Sequence, residues 1–174
     1  MVSSHYLEMA TRQQTTMISD LLGPNKVLFP WRSSNVPLPE PHMLGILASG
    51  ALHFAHPWRL SGSERLYCGV GWTLVGAGVA ISASAVQTTS EIDLERPSAL
   101  ISSGPYAISR NPMYVGWTLL YLGAALIRRN AWMIASLPVV TALIHRDVLR
   151  EEHTLERTFG EDYTRYQKQV RRYL

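Results

Sequence analysis

Charge is absent from three long stretches of the chain. Residues 66–86 (LYCGVGWTLVGAGVAISASAV) carry none over 21 positions, and neither do 112–127 or 130–144. Helices of soluble proteins keep a charged outer face, whereas a bilayer core of about 30 Å calls for about 20 mostly apolar helical residues. The 66–86 stretch meets that requirement alone. The pair 112–127 and 130–144 is joined by Arg128-Arg129-Asn130, which reads as the polar tip of a helical hairpin. Trp117, Tyr121 and Trp132 suit the interfaces of such a hairpin. A weaker candidate, 42–58 (HMLGILASGALHFAHPW), is interrupted by His53 and His56. The pattern predicts an all-α integral membrane protein with about four transmembrane helices, at 42–58, 66–86, 112–127 and 130–146. A cytoplasmic helical extension follows over 147–174, the whole domain spanning 42–174.

The remaining segments are polar. Residues 1–41 form a cytoplasmic arm with no apolar core of the kind a signal peptide needs. Within it, 5–22 has the spacing of an amphipathic surface helix, and "VPLPEP" (36–41) should be extended because of its prolines. The longest loop, 87–111, carries turn chemistry at Arg96-Pro97-Ser98 and Gly104-Pro105.

The averages, 47% hydrophobic residues and a mean hydropathy of zero, conceal this segregation. Charge placement adds an orientation. With four spans, twelve of the 16 Lys and Arg residues fall on the side of the termini and the 87–111 loop. Only Arg59, Arg65, Arg128 and Arg129 fall on the other. That asymmetry predicts both termini in the cytoplasm. The net charge of +3 then points to anionic headgroups of membrane lipids, and no nucleic-acid-binding pattern appears. The lone Cys68 lies inside a span, and His53 and His56 have no acid or thiol beside them. No metal site is expected, nor does any phosphate loop or nucleophile elbow occur.

Two features carry candidate chemistry. In "GPYAISRNPMYVG" (104–116), Asn111-Pro112 starts a helix, since Asn caps well and Pro tolerates the first helical position. The free N–H groups and positive dipole end of that helix, beside Arg110, make an anion site or merely a capped entry. The second feature lies in the charged continuation of the last span. There Ile144, Val148, Glu151, Leu155 and Phe159 project onto one stripe, with Glu152 at its flank. A carboxylate on a packing face needs a partner. Glu151 is therefore read either as a ligand contact or as the ion-pair partner of Arg110 or another arginine. Arg146, Arg150, His153 and Arg157 project to the opposite face.

Taken together, "GPYAISRNPMYVG", the short hairpin and "REEHTLERTFGEDYTRYQKQVRRYL" resemble the isoprenylcysteine carboxyl methyltransferase family of integral membrane methyltransferases, especially its small prokaryotic members. The resemblance covers about 66–174. It implies S-adenosylmethionine (SAM) bound on the cytoplasmic side of a prokaryotic cell membrane, and a lipophilic or lipidated substrate. By position it implies cofactor contacts from Leu100, Ile101, Tyr106, Asn111, Pro112, Met113, Tyr114, Glu151 and Glu152. Arg110, and one of Arg146 or Arg150, would hold the substrate or stabilise the site. The family's histidine is Asn111 here, which cannot act as a titrating base. Two other readings accompany this one: a membrane reductase using a nicotinamide cofactor on a related helical core, and a non-catalytic membrane protein that binds a lipid or haem-like ligand.

Overall fold

The computed structural model describes residues 40–89 and 100–174. The expectations for the arm up to residue 39 and for the Arg96-Pro97-Ser98 turn lie outside them. Among the described residues five α-helices follow one another: α1 (Glu40–Ala55), α2 (Glu64–Thr89), α3 (Pro112–Ile127), α4 (Ala131–Phe159) and α5 (Glu161–Gln169). A 3-10 turn, Gly104–Ala107, stands before α3. No strand occurs among the described residues; only isolated bridges join Arg59 to Asn130 and Ser109 to Arg171. The first helix starts earlier than expected, because Pro41 sits in its opening turn, where a missing N–H costs nothing.

α2 and α4 are long and apolar enough to cross a membrane, and only 22% of the apolar window of each is buried inside the protein. The core helix of a soluble protein would bury most of such a window. Instead Leu66, Val70, Trp72, Val79 and Val139 lie on the outside, a surface that lipid covers at no cost and water does not. α1 and α3 stand at the expected positions but have 16 residues each. At about 1.5 Å per residue they reach about 24 Å, short of a full crossing at right angles.

Packing between α2 and α3 depends on glycine. Gly71 lies against Gly123 and Gly78 against Gly116, two antiparallel pairs at the same seven-residue spacing. A methyl carbon placed on Gly78 would sit 2.7 Å from the Gly116 carbonyl oxygen, and one on Gly123 2.7 Å from that of Gly71. No Cβ fits at either contact. Small residues that let helix backbones meet in this way replace hydrophobic burial as the cause of association in lipid. Elsewhere the bundle interior is joined by hydroxyls: Tyr121 to Ser136 at 2.7 Å and Ser136 to Ser49 at 3.0 Å, tying α1, α3 and α4 together.

The hairpin tip forms as the polar residues require. Asn130 caps α4, its side-chain oxygen accepting from the amides of Trp132 (3.0 Å) and Met133 (3.4 Å). The α1–α2 loop clasps this tip: Leu60 N–H donates to Arg129 O, Ala131 N–H to Trp58 O, and the Arg129 guanidinium to Leu60 O. Both connections thus lie at one end of the bundle. The start of α3, the end of α2 and the charged half of α4 lie at the other.

Candidate functional site

At that second end the chain is bent into place by a glycine. Gly104 has φ +57, and a Cβ there would sit 2.7 Å from Thr88 Oγ1 on α2. The turn it makes presents Tyr106, whose carbonyl accepts from Tyr166 OH at 2.6 Å. The next residues pair with the C-terminal tail: Arg110 N–H donates to Arg171 O at 2.9 Å, and Ser109 Oγ to Arg172 O at 3.3 Å. A second glycine, Gly160 at φ +54, breaks the long α4 and turns α5 back towards the same place. Tyr163 and Tyr166 of α5 are buried there.

The two adjacent glutamates have separate surroundings. Buried Val140, Ile144 and Val148 recur every fourth residue on α4, and Glu152 continues that series. The packing stripe thus runs one residue on from the stripe drawn through Glu151. Glu152 is 5% exposed and receives three side chains. Arg110 reaches its Oε1 from Nη2 at 3.0 Å and from Nε at 3.1 Å. Arg172 grips both oxygens, Oε2 from Nη2 at 2.9 Å and Oε1 from Nε at 3.1 Å. Asn111 donates to Oε1 at 3.4 Å. Charged bonds in this number offset the desolvation of a buried carboxylate. In return, Glu152 raises Arg172 above its already high ordinary pKa.

Asn111 stands at the N-cap position of α3, yet its side chain caps nothing. Its second donation goes to Arg172 O at 3.1 Å, so the amide ties the helix start to the tail. Arg110 likewise donates to Gln167 O at 3.1 Å. Its charge is already neutralised by the protein and does not serve as a free anion site.

Glu151 faces the other way. Its Oε1 accepts from Tyr114 OH at 2.6 Å, and no other donor among the described residues reaches the carboxylate. Loss of bulk water raises its carboxyl above the usual range. The Tyr114 bond opposes that rise, and the negative charges of Asp147 and Glu152 add to it. The two meanings the sequence offered for one carboxylate are divided between two: Glu152 takes the ion pair, and Glu151 is left facing a cavity.

That cavity, of about 80 Å³, is lined by Leu100, Ile101, Tyr106, Arg110, Asn111, Glu151 and Glu152, together with Leu155, Phe159, Tyr163 and Tyr166. Burial raises the Tyr106 phenol, and it raises those of Tyr163 and Tyr166 to about 12. All three are neutral hydroxyls at physiological pH. A second, open groove of about 600 Å³ runs between α3 and α4, walled by apolar side chains and by Tyr114, His145, Tyr173 and Leu174. Tyr114 lines the groove and Glu151 the cavity, so their hydrogen bond stands where the two meet.

Of the other residues singled out from sequence, Pro112 and Met113 are buried in the helix packing, Met113 against Ala85 and Val86. Arg146 and Arg150 are exposed and pair with Asp147 at 3.8 and 3.5 Å, outside the cavity. Sequence reasoning passed over Arg172, Tyr163, Tyr166 and Tyr173. The tyrosines at 163 and 166 do show helical spacing on a short charged helix, but nothing marks Arg172 among its neighbouring basic residues.

Fold and site together define a membrane-helix protein with a partly polar cavity at the end of its bundle. Residues 66–162, more than half of the chain, match the phospholipid methyltransferase family, and the chain belongs to that family. The human (Homo sapiens) protein-S-isoprenylcysteine O-methyltransferase is 36% identical to it over 72 residues, 41% of this chain and 25% of that protein. The matched part is thus about a quarter of the relative's length. The resemblance read from the motifs is borne out by both.

Proposed function

We propose that the protein is a methyltransferase that takes its methyl group from SAM and passes it to a lipophilic acceptor at the membrane surface. The observation that carries this reading is the junction at Tyr114–Glu151 between a polar, aromatic cavity and an apolar groove. Family membership supplies the reaction class.

The residues present fit such a cofactor in their chemistry. Glu151 offers a carboxylate to an ammonium or to ribose hydroxyls. Tyr106, Phe159 and Tyr163 offer aromatic faces to a purine, and Leu100 and Ile101 an apolar rim. The enclosed volume is smaller than the pockets of about 300–1,000 Å³ that usually enclose such ligands, so the cavity would hold only part of the molecule. When bound, SAM supplies a methyl group on a positively charged sulfur that leaves as a neutral thioether.

What this chain contributes is placement. Displacement at a methyl carbon needs the nucleophile in line and dry, and alignment alone accounts for much of the acceleration. Glu152, with Arg110, Asn111 and Arg172, fixes the start of α3 against α4 and the tail. Tyr114 and Glu151 are thereby held at a set distance. The groove keeps water from the acceptor and holds its aliphatic part. Asn111 spends both N–H bonds on acceptors and abstracts no proton. On this reading the site lies on the cytoplasmic face, where the basic residues are gathered.

The test is transfer of labelled methyl from SAM into total membrane lipids and small lipophilic thiols, with identification of the product. Thermal shift with SAM and with NADPH runs alongside it. A shift with NADPH alone, and no labelled product, would replace this reading with that of a reductase.

A further inference from the structure

The apolar groove contains one ionisable nitrogen whose place is fixed by a neighbour. His145 Nδ1 lies 3.0 Å from Tyr173 OH, the rings tilted at 48° with centroids 6.1 Å apart. The other polar side chains of the groove are engaged. Tyr114 OH donates to Glu151, Thr118 Oγ1 to Tyr114 O, and Thr141 Oγ1 to Leu137 O. Among the described residues, no protein group reaches His145 Nε2.

Resting on the proposed methyl transfer, we propose that His145 is the catalytic base of the groove. The acceptor it serves carries a proton on its nucleophilic atom, an ammonium or a thiol on an aliphatic body. When Nδ1 bears the ring proton and donates to Tyr173 Oη, Nε2 presents its lone pair to the groove. The acceptor's N–H or S–H proton passes to Nε2. The lone pair so freed forms the bond to the methyl carbon as the methyl–sulfur bond breaks. The sulfur keeps that electron pair as a neutral thioether, and the proton leaves His145 for water. An apolar groove lowers the pKa of a bound ammonium by desolvation, which eases the first step. An acceptor that arrives as a carboxylate needs no base. Asn111 is excluded from this work by its chemistry, and its amide is already committed to Glu152 and to Arg172 O.

The experiment uses the full chain in detergent with dodecylamine, dodecanethiol and dodecanoate as acceptors and methyl-labelled SAM as donor. The expected result is transfer to the amine or the thiol. His145→Gln should lower kcat by about a hundredfold at neutral pH and leave SAM affinity unchanged. Without SAM, calorimetric affinity for dodecylamine should fall about tenfold in His145→Gln. An unchanged rate in His145→Gln overturns the assignment. So does transfer to dodecanoate alone, or to none of the three, by protein that binds SAM. Wild-type protein that binds no SAM overturns the methyltransferase reading instead.

Discussion

Tyr114 donates a 2.6 Å hydrogen bond to Glu151 across the boundary between the apolar groove and the polar cavity. The two residues lie on different helices, α3 and α4, and each lines a different space. On the proposed function this bond is the place where methyl donor and acceptor come together, and Glu151 is the carboxylate without an arginine.

That isolation gives a pH dependence. Burial raises the Glu151 carboxyl above its ordinary range, and a cationic ligand binds the ionised form. SAM affinity should therefore be full above the raised pKa and should fall as pH drops through it. Titrations by calorimetry run from about pH 8 down past the ordinary carboxyl value of about 4.3. In Glu151→Gln the dependence should vanish and affinity stay low throughout. A wild-type midpoint at or below that ordinary value contradicts the assignment.

Removing only the tyrosine hydroxyl moves the same curve. The Tyr114 bond holds the Glu151 carboxyl down against its burial. In Tyr114→Phe the ring still fills the groove, but the midpoint of SAM binding should shift to higher pH. A midpoint that stays in place, or moves down, counts against the geometry.

Glu152 should behave differently from its neighbour. Glu152→Ala leaves Arg110 buried without its counter-charge and Arg172 without its anchor. Breaking one side of such a pair costs about 3–5 kcal/mol, so the thermal unfolding midpoint in detergent should drop steeply. Glu151→Ala, which strands no buried charge, should leave that midpoint close to wild type. Equal losses at the two positions would refute the division between them.

The glycine contacts give a paired test far from the site. Gly78→Val places a branched side chain against the Gly116 carbonyl and should push α2 from α3, lowering the unfolding midpoint or the yield of folded protein. Gly76→Ala, on the same helix, meets nothing within 4 Å and should be neutral or mildly stabilising, since Ala favours helix. Similar behaviour of the two variants would be inconsistent with this interface.

Much of this architecture is legible in the sequence because lipid imposes simple rules. The uncharged runs gave the helices within a few residues, and Arg128-Arg129-Asn130 marked the tip that Asn130 caps. α3 takes the expected 112–127 and α1 lies within three residues of 42–58, while α2 extends two or three residues beyond 66–86 at each end. At the site, periodicity found the glutamate pair but placed the packing stripe through Glu151, whereas Glu152 continues the four-residue series from Val140. That choice is made by Arg110, Asn111 and Arg172, which belong to other segments. Arg172 lies 61 positions from Asn111 and in no periodic pattern, so no local reading finds it. The side chain of Asn111, read as a cap, was drawn off to the tail by the same long-range contacts.

Calorimetric titration of SAM into the wild-type chain and its Glu151→Ala variant, in detergent at neutral pH, tests the central claim most directly. The expected result is one site per wild-type chain and no measurable binding in the variant, with both proteins unfolding at similar temperatures. Equal affinity in the two, or no binding by the wild type, would contradict it.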